Sequence, residues 1–204
     1  MTITINGDDI TVNCCSPTPV PAQSVLRRED LVKLSCATVL PEQINGAAAL
    51  DRQMVCAKAI LPAGKTITHL GVPVASGPRG VPSGESRLAV YSITGGLIAE
   101  TGNDAKLFDG TGWRFSPLAA PLPAKPEDRV IWLTALLPAY SVAPPALLAA
   151  KNPVTDFPNL YNPNGFRTFT HPDRTQLPTD VGGDYPPLNM VVCIVGVDLS
   201  VNQQ

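Results

Sequence analysis

The chain has 204 residues, a formal net charge of −2 and only 16% charged residues, so its length is that of about one domain. Its longest basic run is the pair Arg27 and Arg28, which excludes the charge pattern of a nucleic-acid-binding domain. No stretch reaches the roughly 18 apolar residues of a membrane span, and the first residues do not form a secretory signal. We therefore expect a soluble protein that is made in the cytoplasm.

The N-terminal residues predict an arm. Asn6 and Gly7 lie between two alternating runs of β-formers, which is a strong hairpin signal because both residues tolerate a positive φ. A hairpin alone is marginal in water and needs a surface to pack on. The proline-rich residues 16–21 then indicate an extended linker. Residues 1–50 are predicted to be a hairpin arm with its linker, and the apolar residues expected to contact a partner are Ile3, Ile5, Ile10 and Val12.

The middle of the chain predicts a β-sandwich. Residues 31–39 alternate well enough for a strand, although residues 27–34 could also begin a helix. Between residues 54 and 137, four apolar blocks rich in β-formers are separated by Pro and Gly at intervals of about ten residues, as in a sandwich or barrel. Trp113 and Phe115 occupy alternate positions, so one face is expected to bury both rings.

The last third of the chain predicts a long loop and a closing strand. Residues 141–189 contain a Pro or Gly every few positions, and loops of this length are usually functional or disordered. Aromatic residues give this segment something to anchor, and aromatic and Arg side chains are enriched at interfaces. The predicted partner-contact residues here are Tyr161, Phe166, Arg167 and Phe169. Residues 190–201 read as a β-strand, which completes a sandwich domain over residues 51–204.

The cysteines do not indicate a metal or disulfide framework. They are odd in number and lack the CxxC spacing of zinc sites. Three of them stand inside apolar runs and are expected to be core residues, while the adjacent pair near the linker is expected to be partly exposed. The five are Cys14, Cys15, Cys36, Cys56 and Cys193.

The sequence contains little that points to catalysis. His69 alternates within an apolar strand, where we expect a hydrogen-bonded sheet residue, and His171 precedes a proline in the predicted loop, where we expect it to face solvent or an interface. Asn103, Asp104 and Asp109 could offer oxygen ligands to calcium, but these residue types are also ordinary in turns. We predict no catalytic residues, no cofactor and no metal site, and therefore no enzyme.

Sugar binding is the alternative function that the residues leave open. Exposed aromatic rings can stack on sugars, and Trp113 and Tyr161 are the candidates for this role. Because Trp113 and Trp132 both stand in apolar strand contexts, we expect each of them to be buried in the core rather than to bind sugar.

A set of motifs in the sandwich region resembles a known family. These motifs are LPAG at residues 61–64, Tyr91 before the Gly95 and Gly96 turn, Trp113 before Pro117 and Leu118, Trp132 in an apolar strand, and the closing strand. In this order they resemble the jelly-roll modules of minor tail, fibre and other virion structural proteins of tailed bacteriophages. The resemblance covers roughly residues 51–140 and 190–201, and none of its motifs is specific alone.

The resemblance implies a fold and a role. The implied fold is an all-β, jelly-roll-like antiparallel sandwich with an N-terminal arm and a long loop insertion. The implied role is a non-enzymatic virion component, such as a minor tail or capsid decoration protein. Its expected partners are other virion proteins and copies of itself, with a cell-surface glycan as the alternative, and its expected location is the virion.

Overall fold

The structure is a computed structural model that describes residues 33–39, 43–151, 168–181 and 190–200. For three strands before residue 28 it describes the backbone alone. All the elements in this described part of the chain are β-strands. In chain order they are β1 (Thr2–Asn6), β2 (Asp9–Asn13), β3 (Leu26–Arg27), β4 (Leu34–Ala37), β5 (Gly46–Ala49), β6 (Gln53–Leu61), β7 (Ile67–Ser76), β8 (Pro82–Ser83), β9 (Arg87–Ser92), β10 (Leu97–Glu100), β11 (Gly112–Leu122), β12 (Arg129–Leu137), β13 (Ala139–Tyr140), β14 (Ala146–Lys151), β15 (Thr168–Pro172), β16 (Met190–Val192) and β17 (Val195–Val197). The predicted all-β class is confirmed.

A five-stranded antiparallel sheet forms one layer, in the order β10-β9-β12-β6-β15. Its centre is β12, which pairs with β6 along its whole length and with β9 on the other edge. Side chains alternate along β12, so Ile131 and Leu133 point into the main core while Trp132 points to the opposite face. Both faces of this sheet are therefore apolar.

A seven-stranded antiparallel sheet forms the second layer, with β16, β14, β7, β17 and β4 in sequence and with β11 and β5 attached to β7 and β14. The predicted closing strand is confirmed as two short pieces: β16 pairs with β14, and β17 pairs with both β7 and β4. Gly196 lies in β17 where a Cβ would overlap Ile67 and Cys36. A side chain here would displace the ends of these two side chains, and glycine avoids that displacement.

The main core lies between the two sheets. It is built from aliphatic side chains that are almost fully buried, among them Leu61, Leu70, Leu88, Leu133 and Val192. Burying one such side chain stabilises the fold by about 1.5–3 kcal/mol relative to leaving it in water. The Leu, Ile and Val content of the four apolar blocks therefore suffices to explain why the two layers pack face to face.

The outer face of the five-stranded sheet is covered by residues 173–181, which we call the strap. Leu177 and Val181 of the strap pack on a second apolar cluster that includes Met54, Tyr91 and Trp132. The backbone of the strap bonds to the hairpin of β9 and β10, through Leu97 N to Thr179 O at 3.0 Å and Val181 N to Gly95 O at 2.9 Å. This sheet is consequently buried on both faces.

The predicted long loop over residues 141–189 is wrong in part, because β14, β15 and the strap all lie within it. The prolines that suggested a loop flank these strands: Pro144 and Pro145 precede β14, and Pro172 ends β15. The pairing of β14 with β5 sets the small residues of β5 opposite two alanines and two leucines of β14. Residues 152–167 and 182–189 lie outside the described part of the chain.

The predicted boundary at residue 50 is also wrong. Strands β4 and β5 were assigned to the arm, but they pair within the seven-stranded sheet. The strand predicted over residues 31–39 is present as β4, whereas GAAA of β5 is too short to predict on its own. The sheet partners of both strands come from the far part of the chain. The strands before residue 28 form a separate three-stranded sheet in the order β1-β2-β3.

Candidate interaction surfaces

Trp113 and Phe115 form an aromatic pair on β11. Their ring centroids are 5.7 Å apart and their planes differ by 15°. The prediction that they share a face is confirmed, but the prediction that the face is buried is wrong, because Phe115 is 40% exposed and Trp113 is half-buried. Their neighbours Ser116 and Leu118 are the residues of β11 that point inward. The predicted alternation of side chains along β11 is therefore correct, but the face that carries Ser116 and Leu118 is the one that faces the core.

Gly71 explains how the Phe115 ring lies so close to the sheet. It pairs with Phe115 across β7 and β11, and a Cβ at this glycine would overlap the ring. The ring therefore rests on backbone, next to Val195. Trp113 in turn packs on the apolar cluster around Val195 and Val197.

An apolar groove of about 850 Å³ opens between β10 and the end of β11. The two strands meet at an isolated bridge between Thr101 and Leu118 and separate beyond it, so the groove is a wedge between the edges of the two sheets. Ile93 and Ile98, which are 38% and 42% exposed, line one wall. Ala119 and Ala120 line the other. Apolar side chains that remain open in a groove are a usual feature of binding sites.

The charged lining of the groove is basic on balance. Its charged residues are Glu100, Lys125 and Arg129. Glu100 is paired with Arg87, whose Nη1 lies 2.9 Å from the carboxylate, whereas Arg129 donates to the carbonyl oxygen of Pro123, which carries no charge. The groove therefore presents two positive charges next to its apolar walls.

A second exposed apolar site lies at the other end of β9 and β12. There, β8 and β13 pair, and Val81 and Val142 beside them are 74% and 67% exposed. The Val81 amide donates to Ser141 Oγ at 3.0 Å, which fixes the tip. The tip exposes these two valine side chains beside a pair of two-residue strands.

Lys58 is a buried cation on the strap side of the five-stranded sheet. Its Nζ lies 4.9 Å from the centroid of the Trp132 ring, and the ammonium makes no hydrogen bond. Burial lowers the pKa of Lys58 to about 8. A cation over an aromatic face is attracted to it, but this attraction does not restore the hydration that the ammonium has lost.

His171 is also buried, at 1% exposed, so the prediction that it faces solvent or an interface is wrong. It pairs with Met54 across β15 and β6 and contacts the Phe169 ring edge-on. Burial is the main cause that lowers its pKa to about 4, and the charge of Arg174 adds to it, while a hydrogen bond with the Val181 backbone opposes the shift. The expected hydrogen bond at His69 is present, with Thr68 Oγ1 at 3.0 Å from Nδ1.

The predicted contact residues have different outcomes. Phe169 was expected at a partner surface but is 8% exposed, and its ring meets the edge of Trp132 with centroids 4.8 Å apart. That expectation is corrected, because Phe169 belongs to β15 and fills the cluster under the strap. Trp132 is buried as expected. Tyr161, Phe166 and Arg167 lie outside the described residues.

The four N-terminal contact residues lie on the paired strands β1 and β2. The register places Ile3 opposite Val12 and Ile5 opposite Ile10, so the predicted hairpin pairing is present. Their role as contacts to a partner stays a prediction.

The buried cysteines and the acidic loop have structural roles. Cys36, Cys56 and Cys193 are free and buried, as predicted, and burial raises the pKa of each thiol to about 12. Asn103 accepts a hydrogen bond from the Ser86 amide, and Asp104 accepts one from the Lys106 amide. Cys14 and Cys15 lie outside the described residues.

The described residues include neither a candidate metal site nor a candidate membrane-spanning helix. They contain no group of three or more His, Cys, Asp or Glu residues placed to hold a metal ion. They also contain no helix with the length and apolar character of a membrane span.

No protein-family model matches the sequence, and no curated protein matches it. The assignment of a role therefore depends on the surfaces described above and on the resemblance of the sandwich motifs.

The sequence did not predict the groove. Ile98 alternates with Leu97 and Ala99 in what reads as an ordinary hairpin, and nothing local indicates that β10 lies at a sheet edge. The signal that could have found it is the run of residues 117–126, where four prolines limit further strand pairing of β11.

Proposed function

We propose that this protein is a non-enzymatic structural component of a bacteriophage virion, a minor tail or capsid-associated protein that acts through contacts with other virion proteins and with copies of itself. The virion location is supported by the resemblance of the sandwich motifs to jelly-roll modules. The two packed antiparallel sheets are compatible with that topology.

One observation carries the proposal that the chain acts through protein contacts. Strands β1, β2 and β3 form a sheet of their own, and β1 lies at its edge. A strand at a sheet edge presents backbone groups that another chain can pair with. The first residues therefore act as an arm that joins a neighbouring molecule, and the sandwich is the body that holds the arm in place.

Truncation of residues 1–24 tests this function. Phage particles assembled in the presence of the full-length chain should carry it through gradient purification, as measured by quantitative mass spectrometry of the particle fraction. The truncated chain should remain in the unassembled fraction, although its sandwich still folds by circular dichroism. Equal incorporation of both chains, or absence of the full-length chain from native particles, would overturn the proposal.

A carbohydrate-binding module for host attachment is the second candidate, and the Trp113 and Phe115 pair favours it. Two nearly parallel rings, one of them 40% exposed, offer an apolar platform of the kind that stacks on sugar rings. Glycan-array binding should be present in the wild type and lost in Trp113→Ala and Tyr161→Ala, with Trp132→Phe as the control at a buried ring. Absence of binding in the wild type removes this candidate.

A further inference from the structure

We propose that the groove between β10 and β11 binds a single-chain amphiphile, with an aliphatic tail between the apolar walls and an anionic head beside Lys125 and Arg129. A fatty carboxylate is the simplest ligand of this chemical class. The inference goes beyond the proposed function, because it assigns a small-molecule site to the sandwich and does not involve the N-terminal strands.

The groove has a closed end and an open end. The antiparallel bridge between Thr101 and Leu118 joins the two strands at the closed end. From this bridge, β11 runs on toward the loop that holds Lys125, and β10 lies opposite it back to the turn that follows β9. Arg129 stands at the same open end, because it begins β12 and β12 starts alongside the last residues of β9. Both cations therefore lie away from the bridge, where the head of an elongated ligand can reach them.

The walls of the groove suit an aliphatic chain. Ile93 and Ile98 are 38% and 42% exposed on one wall, and Ala119 and Ala120 line the other. The volume of about 850 Å³ falls within the roughly 300–1,000 Å³ of small-molecule sites. None of the described residues that line the groove is aromatic, so it offers no ring on which a sugar could stack. Burial of an aliphatic tail here would remove apolar surface from water on both the ligand and the protein.

The neutral and acidic side chains of the lining are already engaged. Ser92 carries the one hydroxyl among the described lining residues, and its Oγ accepts the Gly96 amide at 3.0 Å. Glu100 is the one acid among them, and it forms an ion pair with Arg87 at 2.9 Å. The polar part of a ligand therefore meets the two cations, which favours an anionic head over a neutral one.

The two cations have no acidic partner within the described part of the chain. Arg129 donates to the carbonyl oxygen of Pro123 at 2.8 Å. Asp128 stands next to it in sequence, but its carboxylate accepts the Ala63 amide at 2.8 Å. Hydrogen bonds between ionised groups are stronger than those between neutral groups. An anionic head would supply the charged partner that both side chains lack.

The backbone of the groove argues against an added peptide strand. Strand addition depends on free main-chain groups at a sheet edge. On the β11 side, Pro121 and Pro123 have no N–H to offer. On the β10 side, the Leu97 amide already donates to Thr179 O at 3.0 Å. An aliphatic tail needs none of these groups, so an amphiphile fits the groove better than a strand does.

Isothermal titration calorimetry of the full chain with octanoate, decanoate and dodecanoate, each below its micelle concentration, tests the site. The wild type should bind each acid saturably, and the affinity should rise about fourfold for each added methylene until the groove is filled. Decyltrimethylammonium has the same tail as a decyl acid but a positive head, so it should bind about tenfold or more weakly than decanoate. Absence of saturable binding for all three acids, or equal binding of the cationic amphiphile, would overturn the proposal.

Two variants with matched controls locate the site. Lys125→Gln should weaken decanoate binding by about tenfold, because it removes a charged hydrogen-bond donor. Lys106→Gln, at an exposed lysine outside the groove lining, should bind like the wild type. Ile98→Asn should also weaken binding by about tenfold, because it makes one apolar wall polar, whereas Val81→Asn at the exposed tip should not. Circular dichroism checks that each variant is folded. Equal weakening in a variant and its control, or unchanged binding in both groove variants, would overturn the proposed site.

Vesicles distinguish a free ligand from a lipid surface. Free decanoate should bind the chain with no vesicles present. Co-sedimentation with phosphatidylglycerol vesicles but not with phosphatidylcholine vesicles, without any binding of the free acids, would overturn the single-chain assignment in favour of an anionic membrane surface. None of these measurements depends on residues 1–24, so failure of the groove proposal would leave the proposal for the arm standing.

Discussion

The hydroxyl of Tyr91 donates a hydrogen bond of 2.8 Å to the carbonyl oxygen of Pro178. Tyr91 belongs to β9 and Pro178 to the strap, so this bond fastens the strap to the sheet beneath it. The Tyr91 side chain is fully buried, and burial is the main cause that raises its pKa above the ordinary value. The phenol therefore remains protonated and keeps its role as a donor across the physiological pH range.

Tyr91→Phe should destabilise the protein by about 1 kcal/mol, because the net contribution of a hydrogen bond is of that order. The effect should be local. Hydrogen exchange of the Leu97 and Val181 amides, which join the strap to the hairpin of β9 and β10, should accelerate more than exchange at Leu133 in the centre of the sheet. Equal acceleration at all three amides would contradict the role assigned to the strap.

Lys58→Met should stabilise the protein at pH 7. Lys58 is charged in both the folded and unfolded states below about pH 8, and there the folded state carries the full cost of burying the ammonium. Between its folded pKa of about 8 and the ordinary value of 10.5, the folded state loses the proton first, so the stability of the wild type rises relative to the variant. The advantage of Lys58→Met should thus shrink from pH 8 to pH 10.

Chemical denaturation of both proteins at several pH values measures this difference. Other groups that titrate in the same range are common to the two chains and cancel in the comparison. Lys65→Met, at an exposed lysine, is the matched control. A difference between wild type and Lys58→Met that does not change with pH would contradict a buried, titrating Lys58.

His171 predicts acid sensitivity. Its pKa of about 4 lies below the ordinary 6.5, so between these values the unfolded chain takes up a proton that the folded chain does not. The contribution of this group to stability is complete above about pH 6.5 and is lost as the pH falls toward 4. His171→Gln should remove that dependence, so the stability of the wild type should fall relative to the variant over this range. An imidazole that titrates near 6.5 by NMR would refute the expectation.

Gly71→Ala should destabilise the protein by about 1–3 kcal/mol, which is typical of overpacking, because the new methyl group would overlap the Phe115 ring. Phe115→Ala should relieve this conflict, so the double variant should lose less than the sum of the two single losses. Gly102→Ala, where a Cβ would meet no atom within 4 Å, is the control and should be close to neutral. Strictly additive losses would show that Phe115 does not rest on Gly71.

The sequence predicted those parts of the fold that follow from local pattern. The four apolar blocks between residues 54 and 137 became β6, β7, β9 to β12, and the run after residue 189 became β16 and β17. These segments were readable because Val, Ile, Leu and aromatic residues recur in them with a period of two or in continuous runs. The free, buried state of Cys36 and Cys56 followed from the same runs.

Features set by distant partners could not be predicted. The Ala-rich β5 and β14 carry almost no strand signal, and each is a strand because the other lies beside it. The burial of His171 and Phe169 depends on β6, more than a hundred residues away in the chain. The side of β11 that faces solvent depends on which edge of the sheet the strand occupies, and the sequence does not indicate that edge. The groove, which lies beside the same edge, could not be predicted for the same reason.

Strands β16 and β17 carry a consequence for biosynthesis. They supply partners to β14, β7 and β4, and more than a hundred residues of chain separate β17 from both β7 and β4. During translation β7 and β4 consequently wait for β17 until all of that intervening chain has been synthesised, and pairings between such distant segments form slowly. A nascent chain would expose the edges of β7 and β4 until β17 emerges, so a product truncated before β17 should be a preferred client of chaperones and prone to aggregate.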